Sequence, residues 1–203
     1  MTKYVSLGSS CSTSVFLQAS GKKGPNCPFD WAFTNPEFIL KIIQLCTSDI
    51  SSYDIVTLHF FKHRYGHVHG NFKSLVEVAQ GNYANIDYRI VFPHDNHKTY
   101  EDVVQAYVRR IDRLKSALLY EQDVVYIWCP PGETPLFDGE PIIKTMEPLN
   151  EVAKIIHMYN PQAKVYVFTY FEFVKEIEHY VIDPCTSYGE VAGKVYDIFQ
   201  KIE

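Results

Sequence analysis

The most regular feature of the chain is a set of short apolar runs that few polar residues interrupt. Three of them are YVSL at residues 4–7, DVVYIWC at 123–129 and KVYVFTY at 164–170, and a fourth covers residues 89–92. Runs of this length without polar alternation are typical of strands that are buried on both faces, as in a parallel sheet. The pattern therefore predicts four strands of one such sheet.

Between these runs, apolar residues recur at helical spacing. In residues 99–119, Val103, Tyr107 and Ile111 share one face of a predicted helix, and residues 146–160 and 190–202 show the same spacing. Helices that alternate with strands are typical of parallel sheets, because the crossover between two parallel strands is usually helical. A mainly parallel α/β architecture follows.

The chain of 203 residues has the length of one domain. We predict a single α/β domain over residues 1–203, with three layers built on a mainly parallel sheet of flavodoxin-like or Rossmann-like type. Residues 47–86 are less periodic than the rest and are predicted to form an irregular middle insertion or cap over the sheet.

Composition narrows the classes of function. The net charge of -5 leaves no excess of basic residues for a nucleic-acid backbone, and no apolar run approaches the roughly 20 residues that span a bilayer. The N-terminus also lacks the basic and then apolar layout of a signal peptide. We expect a cytoplasmic protein without nucleic-acid or membrane partners, acting on a small-molecule, peptide or glycan substrate and using no cofactor.

The five cysteines are odd in number and show no CxxC spacing, so they predict neither a complete disulfide framework nor a zinc ribbon. Cys27, Cys46 and Cys129 have apolar surroundings that favour small buried side chains. Cys11 differs, because it follows the first apolar run and Gly8 and precedes a predicted helix. Unpaired backbone N–H groups at a helix N-terminus favour a thiolate and can stabilise an oxyanion.

A histidine that could act with this thiol is His94, which directly follows the fourth apolar run. Parallel strands deliver their carboxyl ends to one rim of a sheet, so we expect His94 on the same rim as Cys11, with Asp95 orienting its ring. The alternative, equally favoured by these residues, is a packed core thiol at Cys11 and a helix-capping role for His94.

Three motifs carry a family resemblance: SLGSSC at 6–11, CPFDW at 27–31 and FPHD at 92–95. Together they resemble a family of bacterial and viral proteins, largely of unknown function, that is described as papain-like cysteine peptidases. The resemblance implies a nucleophile at Cys11, a histidine partner at His94 and an acidic partner at Asp95.

Two further likenesses concern the same N-terminal segment. The strand, loop and helix around Gly8 and Cys11 are similar to the start of small flavodoxin-like hydrolases, although the GDS motif and the C-terminal Asp-x-x-His pair of that group are missing. The position of the cysteine is also similar to that in capsule-biosynthesis proteins that resemble acyl-CoA-dependent transferases. That last likeness implies a sugar as acceptor.

Further residues are candidates for substrate binding. The backbone amides around Ser10 and Ser12 are predicted to hold an oxyanion. In PFDW, Asp30 either contacts the substrate or caps a turn, and Trp31 is expected to line the pocket.

The stretch HFFKHRYGHVHG at residues 59–70 contains four histidines at spacings that metal sites use. No acidic or cysteine ligand lies among them, so no metal site is predicted. Arg64 and Tyr65 of this stretch are further candidates for substrate binding.

The leading prediction is an enzyme in which Cys11 attacks a carbonyl carbon and water completes the hydrolysis of a peptide, amide or ester bond. The alternatives are an acyltransferase that acts on a sugar or polysaccharide precursor, and a non-catalytic module that binds a glycan or peptide. The distance between Cys11 and His94 distinguishes catalysis from binding, because a shared pocket favours catalysis.

Overall fold

A four-stranded parallel sheet lies at the centre of the computed structural model, which describes residues 1–60, 83–85, 87–88, 90–95, 98–132, 136–137, 140–170 and 178–202. The sheet contains β1 (Lys3–Ser6), β4 (Val124–Trp128), β7 (Lys164–Thr169) and β8 (Glu178–Val181), paired in that order. Val5 lies opposite Tyr126, and Ile127 lies opposite Tyr166. β1, β4 and β7 therefore fall on three of the predicted apolar runs.

Four shorter strands form two antiparallel pairs outside this sheet. β2 (Tyr83–Asn85) pairs with β3 (Ile90–Phe92), and β5 (Leu136–Phe137) pairs with β6 (Glu140–Pro141). A 3₁₀ turn, Pro93–Asp95, follows β3 directly.

Six α-helices occur in the described part of the chain. They are α1 (Cys11–Ala19), α2 (Pro36–Cys46), α3 (Ser52–Ile55), α4 (Tyr100–Leu119), α5 (Pro148–Tyr159) and α6 (Tyr188–Ile202). A π-helical turn, Val56–Phe60, continues α3. Side-chain caps fix the starts of α1 to α4. For example, Asn35 accepts a hydrogen bond from the backbone N–H of Phe38, and Thr99 accepts one from that of Asp102.

Helices cover both faces of the sheet, and the strands alternate between two cores. Tyr126 and Trp128 pack in one core with α2, α4 and α5. Val125 and Ile127 pack in the other core with α1 and α6. The unbroken apolar character of β4 follows from this burial on both sides.

The prediction that residues 89–92 form a fourth strand of the parallel sheet is wrong. β3 pairs with β2 on one side, and on the other side Val91 exchanges backbone hydrogen bonds of 2.9 and 3.2 Å with Phe33. Both edges of β3 are thereby occupied, so it has no free edge for β1. Its three side chains are buried, which explains why its sequence resembles that of a sheet strand.

The structure has a mixed α/β fold with a parallel sheet, but the finer flavodoxin-like or Rossmann-like type stays a prediction. Both of those strand orders place a further strand beyond the first one, whereas β1 is an edge strand of the described sheet. Much of the predicted insertion, residues 47–86, lies outside the described residues, and its role as a cap stays a prediction. Among the described helices, none combines the length and hydrophobicity that a membrane span requires.

Candidate active site

The loop between β1 and α1 is held from two sides. On one side, the Ser9 hydroxyl donates a hydrogen bond of 2.8 Å to the carbonyl of Cys129, just beyond β4. On the other, the Ser9 carbonyl accepts one of 2.9 Å from the backbone N–H of Thr34. Gly8 has φ +90, and a side chain here would collide with the hydroxyl of Thr34. The loop therefore needs glycine at this position.

Helix α1 begins at Cys11, so the thiol belongs to the first helical residue. The hydroxyl of Ser10 caps the helix by accepting a hydrogen bond of 3.2 Å from the Ser12 N–H, and it lies 2.9 Å from the Ser12 hydroxyl. Thr13 donates to the Gly8 carbonyl at 2.6 Å, which ties the first turn back to the loop.

The contacts of Ser10 and Ser12 bear on the oxyanion role that is predicted for the backbone amides around them. Both residues are buried, their hydroxyls bond to each other, and the Ser12 N–H is used by the cap. Within the described residues, the backbone N–H of Ser10 has no protein acceptor, and that of Cys11 contacts only the sulfur of its own side chain. These two groups are the candidate donors to an oxyanion.

The structure brings Cys11 and His94 together. The sulfur of Cys11 lies 3.4 Å from Nε2 of His94, within hydrogen-bond distance for sulfur. Cys11 is 9% exposed, while His94 is exposed on the 3₁₀ turn after β3. A covered thiol thus faces an imidazole that solvent can reach.

Trp31 contacts the same imidazole. Its ring meets that of His94 edge to face, with the centroids 5.8 Å apart. Trp31 also has φ +61, a left-handed conformation that a bulky residue rarely adopts. Strained backbone of this kind is concentrated at functional sites. The contact places Trp31 beside His94, and its role in lining a pocket stays a prediction.

The electrostatic state of Cys11 differs from the sequence-based expectation of a stabilised thiolate. Burial raises the pKa of this thiol to about 11, and the hydrogen bond from its own backbone N–H offsets only part of that effect. Desolvation of the charged form outweighs the favourable helix N-terminus here. At neutral pH the thiol is protonated.

Asp95 does not orient the imidazole in the described structure. It is 4% exposed, and it accepts hydrogen bonds from Lys98 at 2.6 Å and from the hydroxyl of Tyr107 at 3.2 Å. The side chain therefore anchors the 3₁₀ turn that carries His94 onto α4. Sequence analysis missed Tyr107 as a partner because its helical spacing identifies it only as a core residue.

Asp30 is also a structural residue rather than a group open to substrate. It is 1% exposed and accepts hydrogen bonds of 2.5 Å from the hydroxyl of Ser14, 2.6 Å from the N–H of Cys27 and 3.0 Å from the ammonium of Lys23. These contacts favour the turn-stabilising alternative over the predicted substrate-binding role. Asp30 fixes the segment before Trp31 against α1.

The remaining candidates cannot be placed. Arg64 and Tyr65, with most of the histidine-rich stretch 59–70, lie outside the described residues. Within the described part of the chain, no three histidine, cysteine or acidic side chains form a cluster suited to a metal ion.

Comparison with known proteins gives one result. Neither a curated protein nor a solved structure matches the chain significantly. A family model described as "Putative papain-like cysteine peptidase" matches residues 2–130, which include the Cys11 loop, the Trp31 segment and the His94 turn. Because this match covers more than half of the chain, the protein belongs to the putative papain-like cysteine peptidase family.

Proposed function

We propose that the protein is a cysteine-dependent hydrolase that cleaves an amide, peptide or ester bond. The observation that carries this function is the distance of 3.4 Å between the sulfur of Cys11 and Nε2 of His94. A nucleophile within hydrogen-bond reach of a general base, at the start of a helix, is the arrangement that acyl transfer requires. Family membership supports the same reaction class.

In the proposed reaction, Cys11 begins as a protonated thiol beside His94, which acts as the general base. Since burial raises the pKa of Cys11 to about 11, His94 removes the thiol proton as the sulfur attacks the carbonyl carbon. A C–S bond forms, the carbonyl π electrons move to the oxygen, and the proton resides on the imidazole. The backbone N–H groups of Ser10 and Cys11 are the donors that stabilise the resulting oxyanion.

Collapse of this intermediate breaks the bond to the leaving amine or alcohol. The imidazolium of His94 donates its proton to that group, which leaves Cys11 as a thioester. Water then attacks the thioester carbonyl while His94 accepts its proton. The C–S bond breaks as the sulfur takes that proton back, which releases the carboxylic acid and regenerates the thiol. The exposure of His94 gives water a path to the base.

The experiment is to incubate the protein with p-nitrophenyl acetate and to follow the acetylated enzyme by intact mass and peptide mapping. We expect an acetyl adduct on Cys11 and loss of that adduct in Cys11→Ala. Cys185→Ala is the matched control, because Cys185 is buried to a similar extent, with 8% exposed, and should leave the adduct unchanged.

His94→Ala should slow acylation and release of the acetyl group by about 10²-fold or more, the usual contribution of a general base. An adduct that forms equally well in Cys11→Ala, or no adduct at all in folded protein, would reject the proposed reaction. Appearance of the acetyl group on an added sugar, in place of acetate, would identify a transferase.

A further inference from the structure

A small cavity with both charged and apolar lining residues lies apart from the Cys11 thiol. Its volume is about 250 Å³, slightly below the roughly 300–1,000 Å³ typical of pockets for drug-sized ligands. The lining residues are Asn35, Glu37, Asp87, Tyr88, Ile142 and Lys144. The size suits one small ring rather than an extended chain.

Glu37 is the feature of this cavity that indicates a ligand. It lies in the first turn of α2, and its Oε2 atom is shielded from solvent with no hydrogen-bond partner among the described residues. A buried carboxylate oxygen that accepts no hydrogen bond is costly, so such groups normally have a donor. A hydroxyl group of a bound molecule would supply that donor.

The charges around the cavity favour a neutral ligand. Glu37 and Asp87 disfavour an anion, while Lys144 disfavours a cation. A metal ion is also disfavoured, since the described residues contain no cluster of three metal-binding side chains. Carboxylates accept from hydroxyls and an ammonium donates to them, and both kinds of group line this cavity.

Apolar surface is present as well. Tyr88 and Ile142 line the cavity beside the charged residues. The ring of Tyr88 packs against that of Phe38, with centroids 5.4 Å apart, which limits its movement. A rigid apolar surface beside several hydroxyl-binding groups matches a sugar ring, which has C–H faces and a hydroxyl rim.

The cavity is linked to the active pair through hydrogen bonds to backbone carbonyls. The side chain of Asn35 donates to the Tyr88 carbonyl at 2.6 Å, and the neighbouring Thr34 donates to Ser9 of the Cys11 loop. On the other segment, Tyr88 precedes β3 and the His94 turn. The same two segments therefore carry both the cavity and the active pair.

We propose that this cavity binds a single neutral sugar ring, with Glu37 accepting a hydrogen bond from one of its hydroxyls. Binding at this cavity does not require the chemistry of Cys11. Saturation-transfer NMR with glucose, galactose and N-acetylglucosamine tests it, with the dipeptide glycylglycine as a comparison ligand. At least one sugar should bind the wild type, and glycylglycine should not.

Glu37→Gln should weaken sugar binding by about tenfold, because it replaces a charge-assisted hydrogen bond by a neutral one. Asp87→Asn, at an exposed lining residue, should weaken binding in the same direction and serves as the second variant if Glu37→Gln does not fold. Glu101→Gln is the matched control, an exposed glutamate in the first turn of α4, and should bind as the wild type does.

Cys11→Ala should also bind sugar as the wild type does, which separates this site from the proposed hydrolysis. Sugar binding that is unchanged in both Glu37→Gln and Asp87→Asn would overturn the proposed site. The proposed site would also be overturned if glycylglycine alone bound, or if none of the three sugars bound. Failure of Cys11 acetylation, with sugar binding intact, would reject only the hydrolase.

Discussion

At the scale of single residues, the environment of Cys11 requires that proton transfer be part of the chemical step in the proposed hydrolysis. Burial raises the pKa of the thiol, so a thiolate–imidazolium pair is disfavoured before substrate binds. The short contact to His94 remains useful, because the base accepts the proton as the C–S bond forms. General-base catalysis therefore fits the geometry better than a preformed thiolate.

A protonated Cys11 thiol with a raised pKa predicts how alkylation by iodoacetamide depends on pH. The rate at Cys11 should keep rising from pH 8 toward about 11, because only the thiolate reacts and its fraction grows up to that pKa. His94→Ala should change this profile little, although it slows acyl transfer strongly. Peptide mapping of alkylated Cys11 at each pH is the measurement, and a plateau near pH 7 that His94→Ala abolishes would demonstrate an ion pair instead.

Trp31 allows a test of backbone strain at the site. At φ +61 an alanine retains the unfavourable left-handed conformation, whereas a glycine adopts it freely. Trp31→Gly should therefore be more stable than Trp31→Ala by about 1 kcal/mol. Urea unfolding of the two variants measures the difference, and equal stabilities would show that this backbone conformation is not strained.

The sequence identifies some residues of the candidate site, but it does not reveal which other residues they contact. Gly8 and Cys11 have a local signal, since a glycine turn before a helix start is visible in the chain. The partners of Asp30 and Asp95 have none, because Ser14 and Tyr107 are ordinary helix residues until the fold places them against these carboxylates. Burial of Cys11 likewise depends on tertiary contacts, so the direction of its pKa shift was not predictable.

At the scale of elements, His94 reaches Cys11 by a route that the sequence does not reveal. It was expected to follow a strand of the main sheet, but β3 belongs to an antiparallel pair. Segment 33–35 connects that pair to the Cys11 loop, through Phe33 to Val91 and through Thr34 to Ser9. Long-range pairing of this kind has no local sequence pattern. The sequence therefore predicts His94 near Cys11 from a strand of the main sheet, whereas the structure brings it there through the antiparallel pair.

The Cys11 loop and segment 33–35 meet most closely at Gly8 and Thr34. Gly8→Ala introduces a side chain at φ +90 and against the Thr34 hydroxyl, so it should destabilise the protein by about 2 kcal/mol or more. Thr34→Ala should cost little, because that buried hydroxyl has no hydrogen-bond partner among the described residues. The double variant should recover part of the loss, since it removes the collision and leaves the backbone strain.

Urea unfolding of the wild type, the two single variants and the double variant gives the coupling free energy between these positions. Strict additivity would show that the two side chains do not compete for the same space. Acetylation of Cys11 by p-nitrophenyl acetate, measured in parallel, reports whether the loop still presents the thiol.

At the scale of the whole molecule, the strands with apolar runs were predictable from the sequence, and the edge strand β8 was not. β1, β4 and β7 have apolar runs because helices cover both of their sides. β8 has the sequence EHYV, and its end residues are exposed, so it lacks that signal. The strand order that determines the fold type depends on pairings between distant segments, which one sequence does not specify.

The raised pKa values of four buried thiols allow a prediction of how the stability of the whole protein changes at high pH. Burial raises the pKa of Cys11 to about 11 and those of Cys27, Cys46 and Cys129 to about 12, from an ordinary value of 9.0. Well below pH 9 the thiols are protonated in both the folded and the unfolded state, so they do not make stability depend on pH. Above pH 9 the unfolded chain loses these protons first, so stability falls as pH rises toward the folded pKa values.

The free energy of unfolding should therefore be nearly constant from pH 7 to 8.5 and should decrease steeply between pH 9 and 11. Each thiol contributes at most about 1.4 kcal/mol per pH unit to this slope. Urea unfolding at half-unit pH steps measures it, and Cys46→Ala should lower the slope by up to that amount, whatever its stability at pH 7. A free energy of unfolding that stays constant through pH 11 would mean that these thiols ionise inside the folded protein with ordinary pKa values. The raised pKa that keeps the Cys11 thiol protonated beside His94 would then be contradicted.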